Sequence, residues 1–371
     1  FRENYGPNNA IVVLSGDIDE ATARPLMERY FGTIARGPVN TPAEADVPTL
    51  AAPVVQVMHD RVATTRLSRS WAVPGLLSDD AVPLSVAAST VNKMCGSGMQ
   101  AVIIAHDMLA AGSADIVVAG GMESMSNAPY LLTKHRAGAR IGHDAVKDSM
   151  FLDGLEDAYE PGTLMGAFAE RSARDYQLTR EMQDAYSLRS LERAMAAIAS
   201  GAFAGEIVAV EVAGRSGTTT VDTDEAPGKA RSDKIATLKP AFAKDGTVTA
   251  ANASSISDGA AALVLTRESI ARARGLPVVA RIVAHAGHAH APALFTTAPV
   301  PAIRKLLVKA GWDIADVDLF EINEAFAVVA MIAARDLGIP DDKLNVNGGA
   351  TALGHPIGAS GARILVTLLA A

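Results

Sequence analysis

Short apolar strands alternate with amphipathic helices over most of this chain, and this alternation constrains its fold more than any other feature. A helical pattern that follows Cys95 and ends at Gly112 leads directly into the continuous apolar run 114–121, which is typical of a strand buried in a parallel sheet. The alternation returns after a less regular, polar stretch at about 122–247. We therefore expect an α/β protein in which two similar units flank an inserted loop domain.

Several element boundaries are marked by single residues. Thr179 is a candidate N-cap and Gly201 a candidate C-terminal stop, while Gly311 and Gly338 close two further helical patterns. The predicted helices span 163–175, 180–200, 301–310 and 325–337, with a short helix after 266 and a last helix after the glycine-rich turn beyond 346. The predicted strands span 114–121, 260–266, 278–284, 317–322 and 344–346.

Residues 1–80 differ in character from the rest of the chain. A strand pattern at 9–15 precedes a helix that Asp19 could cap, although Pro25 predicts a late start or a kink. Residues 35–53 contain four prolines and predict an extended linker. Two further strands are predicted at 54–58 and 65–73. We expect a small α+β fragment here.

Composition excludes several functional classes. A formal net charge of −8 argues against general nucleic-acid binding. A single cysteine excludes an intramolecular disulfide and a cysteine-rich metal site. No apolar run approaches the roughly 20 residues that span a bilayer, and no signal peptide is visible. We expect a cytoplasmic protein that binds neither nucleic acid nor membrane.

The single cysteine, Cys95, precedes Gly96 and Gly98 at the start of the first helical pattern. Unpaired backbone N–H groups and the positive end of the helix dipole favour a thiolate there, so we expect a lowered thiol pKa. The two glycines carry no side chain and would let a substrate approach the sulfur. Taken alone, a single cysteine of this kind is more often a buried, unreactive one.

Two later motifs carry further candidate residues. The glycine-rich loop 345–361 holds His355, which could exchange protons near pH 7; taken alone, this loop is also compatible with a simple turn before the last helix. Asn323 follows a predicted strand, where open α/β sheets place ligands. An asparagine that stabilises a turn is the alternative for Asn323.

Together these three motifs, with 120–126 and 245–260, closely resemble the thiolase family from about residue 82 to residue 371. The resemblance implies a five-layered αβαβα fold with an inserted loop domain, acting on acyl-CoA thioesters without a separate cofactor. It places an incomplete N-terminal half at 82–266, which includes the loop domain at about 122–247, and a C-terminal half at 267–371.

The resemblance also implies residue roles. Cys95 would take up the acyl group, His355 would deprotonate it, and a water held by Asn323 would help His355 to stabilise the thioester enolate. Positions that match the lining of the pantetheine channel are Met165, Phe242, Ala250, Ser254, Ala325 and Phe326, for which core packing is the alternative. Candidates for the CoA phosphates are Lys229, Arg231 and Lys234, for which solvated surface charge is the alternative.

Two departures from the family pattern bear on activity. Thiolases continue into a strand pair with a second cysteine, in a Cys-x-Gly-Gly-Gly motif, that removes the α-proton of the second acyl group, and the printed sequence has no such cysteine. The second departure is that residues 4–80 take the place of the family's first strands and helices. They resemble a non-catalytic part of the pitrilysin-type metallopeptidases, without their zinc motif. We expect apolar surface at the edges of both core sheets and an impaired homo-oligomer.

The family resemblance predicts an acyl-CoA C-acyltransferase that performs Claisen condensation or thiolytic cleavage. The alternatives are a fused, truncated homologue that retains at most acylation of Cys95 and, more remotely, a non-catalytic relative of metallopeptidases. His285, His288 and His290 lie close together in the sequence. No carboxylate or cysteine accompanies them, so we expect no metal site.

Overall fold

The computed structural model describes residues 20–33, 89–136, 138, 140–214 and 217–371. Cα packing divides the chain into two units, Phe1–Ser89 and Thr90–Ala371. In the first unit, helix α1 (Glu20–Phe31) begins before Pro25 and contains it, so the helix does not start late. The candidate cap Asp19, the linker and the strands predicted at 9–15, 54–58 and 65–73 lie outside the described residues.

The second unit is described almost throughout. Its helices are α2 (Ser97–Ala110), α3 (Met165–Asp175), α4 (Arg180–Ser200), α5 (Glu225–Lys229), α6 (Glu268–Ala273), α7 (Pro299–Ala310), α8 (Ala327–Leu337), α9 (Ala350–Leu353) and α10 (Ile357–Ala370). Its strands are β1 (Ile116–Ser124), β2 (Tyr130–Leu131), β3 (Lys147–Asp148), β4 (Val210–Gly214), β5 (Gly217–Val221) and β6 (Asp258–Thr266). None of the described helices is both long and apolar enough to cross a bilayer.

The helix ends that depend on local chemistry are confirmed. Thr179 caps α4, because its side-chain oxygen accepts a hydrogen bond from the Met182 N–H at 3.3 Å. Gly201, Gly311 and Gly338 follow α4, α7 and α8 in the left-handed conformation, which glycine adopts without steric cost.

Strands β1 and β6 form an antiparallel pair whose register runs from Ile116 opposite Thr266 to Ser124 opposite Asp258. The expectation of a strand buried in a parallel sheet was therefore wrong for 114–121. Successive side chains of a strand point to opposite faces. Ala119 is buried against α2, whereas Val118 is 70% exposed and Met122 83% exposed on the other face.

The strands predicted at 278–284, 317–322 and 344–346 are not formed among the described residues. One parallel bridge, between Phe320 and Leu344, joins the latter two segments. A strand requires a neighbour that accepts and donates its backbone hydrogen bonds. Residues 278–284 have no such neighbour in the part of the chain that the structure describes, and Val279 is 76% exposed.

The largest cluster of buried apolar residues surrounds α8. Ala327, Val328, Ala330, Ile332 and Ala333 are buried on several sides of this helix, which is the pattern of a helix enclosed by other elements. Helices α3, α4 and α7 pack against it. A second cluster lies between α2, the β1–β6 pair and α10.

Candidate active site

Cys95 and His355 meet although 260 positions separate them in the sequence. Cys95 lies in the single 3₁₀ turn Met94–Gly96 that leads into α2, and His355 lies two residues before α10. The distance from Cys95 Sγ to His355 Nε2 is 3.0 Å. The structure thus brings together the nucleophile and the base that the sequence predicts.

Glycines set the distance between the two helices that carry this pair. A Cβ on Gly98 of α2 would lie 2.7 Å from the backbone nitrogen of Ala362 on α10. A Cβ on Gly361 would lie 2.6 Å from the backbone nitrogen of Met99. Both distances are shorter than van der Waals contact, so only glycine permits this backbone approach.

Hydrogen bonds fix the orientation of the His355 ring. Ser360 Oγ donates to the Pro356 carbonyl at 3.0 Å and lies 2.5 Å from His355 Nδ1. Because the hydroxyl proton is already used, Ser360 accepts the proton of Nδ1. The lone pair of Nε2 therefore faces Cys95 Sγ and is free to accept the thiol proton.

Asn323 is the third member of this group. Its Nδ2 lies 3.4 Å from His355 Nε2. Its Oδ1 is buried and has no hydrogen-bond partner among the described residues. A buried acceptor without a partner is costly, so Oδ1 offers a place for a water or a substrate donor.

The pKa values of Cys95 and His355 differ from those expected from the sequence. Although residue Cys95 keeps some exposed surface, burial raises the pKa of its thiol from 9.0 to about 11, and a backbone hydrogen bond lowers it by less. Burial lowers the pKa of His355 to about 4, and the Arg363 charge lowers it further. The expected lowering of the Cys95 pKa was wrong, because loss of water outweighs the helix terminus.

Glu324 anchors the loop that leads to His355. This buried carboxylate accepts hydrogen bonds from the hydroxyls of Tyr186 and Ser190, from Asn345 Nδ2 and from both the N–H and the hydroxyl of Thr351, at 2.7–3.1 Å. Five donors replace the water that a buried carboxylate loses. The loop 345–354 is thereby tied to α4 and to the segment that carries Asn323.

Four of the residues predicted to line the pantetheine channel lie together. Phe326 is buried, and Met165, Phe242 and Ala325 pack against the same apolar cluster. The rings of Phe242 and Phe326 meet edge to face with centroids 6.0 Å apart. Their packing also fits the alternative reading, in which they belong to the core.

The two remaining lining candidates differ in exposure. Ser254 is half-buried, and its N–H and hydroxyl both bond to the Ala325 carbonyl at 3.0 Å. Ala250 is exposed at the surface of the same segment. Ser254 therefore joins the group around Phe326, whereas Ala250 lies at its rim.

The three phosphate candidates lie on the surface. Lys229 forms an ion pair with Glu225 within α5, and Arg231 pairs with Asp233 at 2.9 Å. Lys234 is exposed. Exposed ion pairs contribute little to stability, so these cations can exchange their present partners for a phosphate.

Two residues important to the site were not predicted. Ser360 and Glu324 orient His355 and its loop, and their positions beside His355 and Asn323 in the sequence were the available signals. Glu321, two residues before Asn323, was not singled out either: burial raises its pKa to about 8 against the opposing charge of Arg363, which lies 3.9 Å away.

Known proteins share this architecture. The family model described as Thiolase, N-terminal domain matches residues 52–269, and the model described as Thiolase, C-terminal domain matches residues 276–371. The first match includes residues 52–80, part of the segment whose sequence was compared with metallopeptidases. The metallopeptidase resemblance finds no support among these matches.

Relatives from plants and bacteria match most of the chain. Acetyl-CoA acetyltransferase 2 of Arabidopsis thaliana is 50% identical over 319 residues, which are 85% of this chain and 79% of the plant protein. An acetyl-CoA acetyltransferase of Escherichia coli is 52% identical over 287 residues, which are 77% of this chain and 73% of the bacterial protein.

A solved structure gives the same result for the fold. The crystal structure of the Bacillus anthracis acetyl-CoA acetyltransferase matches with a TM-score of 0.73 and 43% sequence identity, covering 76% of this chain and 71% of that chain. The expected α/β thiolase-like fold class is therefore confirmed. By its two domain matches, its relatives and its fold, this chain belongs to the thiolase family.

Proposed function

We propose that this chain is an acyl-CoA C-acyltransferase that carries the acyl group as a thioester on Cys95. Thiolases take a CoA thioester as substrate and need no separate cofactor. The observation that carries the proposal is the 3.0 Å contact between Cys95 Sγ and His355 Nε2, with the Nε2 lone pair facing the sulfur. A nucleophile in reach of an oriented base is the requirement for acyl transfer.

The first step follows from the neutral state of the pair. Sγ of Cys95 attacks the thioester carbonyl carbon as its proton passes to His355 Nε2. The tetrahedral intermediate then releases the CoA sulfur, which takes that proton back from His355. The acyl group remains on Cys95, and His355 is again neutral.

Asn323 suits the second half-reaction. Its unpaired Oδ1 would accept a hydrogen bond from a water whose other proton faces the oxygen of a bound thioester. By the family resemblance, a second cysteine thiolate would take the α-proton of the acetyl group, and the water would stabilise the resulting enolate. The enolate would then attack acyl-Cys95 and release the Cys95 sulfur, which takes the proton held by the second cysteine. In the reverse direction the water would stabilise the enolate that leaves a 3-oxoacyl-CoA.

We assign CoA binding to the apolar residues around Phe326 and to three cations on the surface. The apolar group around Phe326 would line the pantetheine arm, with Met165, Phe242, Ser254 and Ala325. Lys229, Arg231 and Lys234 would neutralise the phosphates after leaving their surface partners, and Ala250 would lie at the channel entrance.

Acylation of Cys95 without turnover is a second candidate function. Cys95 is the one cysteine in the printed 371 residues, and the family resemblance assigns the α-proton transfer to a second cysteine. Cys95 and His355 by themselves would take up an acyl group and release it only by reversal or hydrolysis.

Mass spectrometry of the purified chain after exposure to acetyl-CoA tests the proposal. We expect one acetyl group on the peptide that contains Cys95, none in Cys95→Ala, and slow acetylation in His355→Gln. Thiolysis of acetoacetyl-CoA is then measured on the same preparation. Turnover supports the transferase, an adduct without turnover supports the second candidate, and a folded chain without adduct refutes both.

We also propose a cytoplasmic protein whose homo-oligomer is weakened relative to family members that form dimers or tetramers. The support is the departure from the family pattern in the residues before position 52, where the match to the thiolase N-terminal domain begins. Light scattering of the purified chain measures the mass in solution. A single dimeric species at micromolar concentration would contradict the proposal.

A further inference from the structure

Two histidines and an aspartate meet near the end of α2 that is remote from Cys95. Asp107 Oδ1 lies 3.0 Å from His106 Nδ1 and 2.9 Å from His285 Nε2. The two imidazole rings stand edge to face with centroids 5.1 Å apart. One ligand-type atom from each side chain thus lies within 4.8 Å of the other two. The chemistry proposed for Cys95 uses none of these groups.

We propose that His106, Asp107 and His285 bind a divalent transition-metal ion of the Zn²⁺ type. Imidazole nitrogens and a carboxylate oxygen are ligands that Zn²⁺ takes in sites with three protein ligands and one water. Bonds of about 2.1 Å in a tetrahedron separate the ligand atoms by about 3.4 Å. The two spacings to Asp107 Oδ1, 2.9 and 3.0 Å, need to open by about 0.4–0.5 Å to reach that separation, and the nitrogens of the two histidines lie within 4.8 Å of each other.

Exposure and charge suit a bound cation. The side chains of His106, Asp107 and His285 are 32%, 58% and 25% exposed, which leaves room for a water as the fourth ligand. The Asp107 carboxylate is the one acidic ligand of the three, and a carboxylate oxygen is a ligand that such a cation accepts. Lys309 Nζ donates to the His285 carbonyl at 3.2 Å and not to this carboxylate.

The sequence could not reveal this group, because Asp107 lies 178 positions before His285. The expectation of no metal rested on the lack of a carboxylate beside His285, His288 and His290. The latter two stay outside the site: their rings pack on each other with centroids 5.0 Å apart, and His290 Nε2 lies 2.7 Å from the Leu294 carbonyl.

A bound ion would join the two halves of the molecule. His106 and Asp107 lie in the range of the N-terminal thiolase domain, and His285 lies in that of the C-terminal domain. Residues 277–291 contain no helix or strand, so the ion would hold this segment against α2. The proposal concerns a structural site and does not depend on acyl transfer.

Zn²⁺ binding is measured on the full chain that carries Cys95→Ala, because the active-site thiol and His355 are themselves possible zinc ligands. Competition against a chromogenic chelator gives stoichiometry and affinity. Each of His106→Ala, Asp107→Asn and His285→Ala is added separately. His290→Ala is the matched control, since it removes an imidazole from the same segment without removing a proposed ligand.

We expect one Zn²⁺ per chain, with affinity reduced at least about tenfold by each of the three ligand substitutions and unchanged by His290→Ala. Zn²⁺ should also raise the melting temperature of the parent chain and not that of Asp107→Asn, because an ion that binds only the folded state stabilises it. No stoichiometric binding would overturn the proposal. So would equal binding by Asp107→Asn, or an equal loss in His290→Ala, since either would indicate nonspecific imidazole binding.

Discussion

The contact between α2 and α10 can be tested by adding a single methyl group. In Gly98→Ala, the new Cβ would lie 2.7 Å from the Ala362 nitrogen and 3.1 Å from the Gly358 carbonyl oxygen, whereas ordinary contact begins at 3.4 Å. The backbones must therefore separate by 0.7 Å, the difference between 3.4 and 2.7 Å. Helix backbones held on both sides yield only with strain.

This opening acts directly on the proposed catalytic pair, because Gly98 lies three residues after Cys95. If it is transmitted in full, the Sγ–Nε2 distance grows from 3.0 Å to about 3.7 Å, which weakens the thiol–imidazole hydrogen bond. A misplacement of about 1 Å costs about 100-fold in rate. We therefore expect acetylation of Cys95 to slow by at least about tenfold, and stability to fall by about 1–3 kcal/mol.

The assay is the single-turnover rate of acetyl transfer to Cys95, followed by quenched-flow mass spectrometry, with the melting temperature of the same variant. Gly205→Ala is the control, since no heavy atom lies within 4 Å of a Cβ at Gly205. Gly361→Ala should open the same gap from α10, so the double variant should lose less than the sum of the single losses. A wild-type rate and melting temperature in Gly98→Ala would refute the close contact.

Three further predictions follow from buried groups. Iodoacetamide should alkylate Cys95 about 100-fold more slowly at pH 7 than it alkylates a thiol of pKa 9.0. The alkylation rate should rise with pH up to about 11. A rate that is constant between about pH 6 and 8 would show a thiolate–imidazolium pair instead. Glu321, with a pKa of about 8 against an ordinary 4.5, keeps a proton in the native state that the unfolded state releases. The contribution of protonated Glu321 to the free energy of unfolding is complete below pH 4.5 and is lost as the pH rises through 8; the loss is at most about 5 kcal/mol. Calorimetry from pH 5 to 9 should therefore show a fall in melting temperature, and the fall should be smaller in Glu321→Gln. Glu324→Gln should lower the free energy of unfolding by about 2–4 kcal/mol, because the glutamine NH₂ group donates hydrogen bonds and would face other donors. Urea denaturation that showed no loss would contradict the arrangement of five hydrogen bonds to Glu324.

Local chemistry was the part of this fold that the sequence predicted well. Thr179 and the glycines after α4, α7 and α8 terminate helices through bonds to residues within one turn. Such bonds need no knowledge of distant segments. The helices predicted at 163–175, 180–200, 301–310 and 325–337 were therefore placed within two residues of their observed bounds, whereas α5 and α9 were not predicted.

Properties that depend on distant neighbours were predicted less well. The apolar run 114–121 has the composition of a strand covered on both faces, but composition does not state what lies on each face, and Val118 is exposed. The residue types of the site were predicted because Cys95, Asn323 and His355 lie in distinctive motifs. The pKa of Cys95 was not, because a helix start is local whereas burial is a property of the whole fold.

The neutral resting state of Cys95 bears on how readily its sulfur is oxidised when no substrate is bound. Peroxides attack thiolates, and the first oxidation product of a thiolate proceeds to forms that are not readily reduced. A thiol with a pKa of about 11 presents few thiolates at neutral pH. In the proposed mechanism the sulfur becomes nucleophilic only as its proton passes to His355 during attack, so the folded protein would shield this sulfur from oxidants and expose its reactivity only to a thioester in the site.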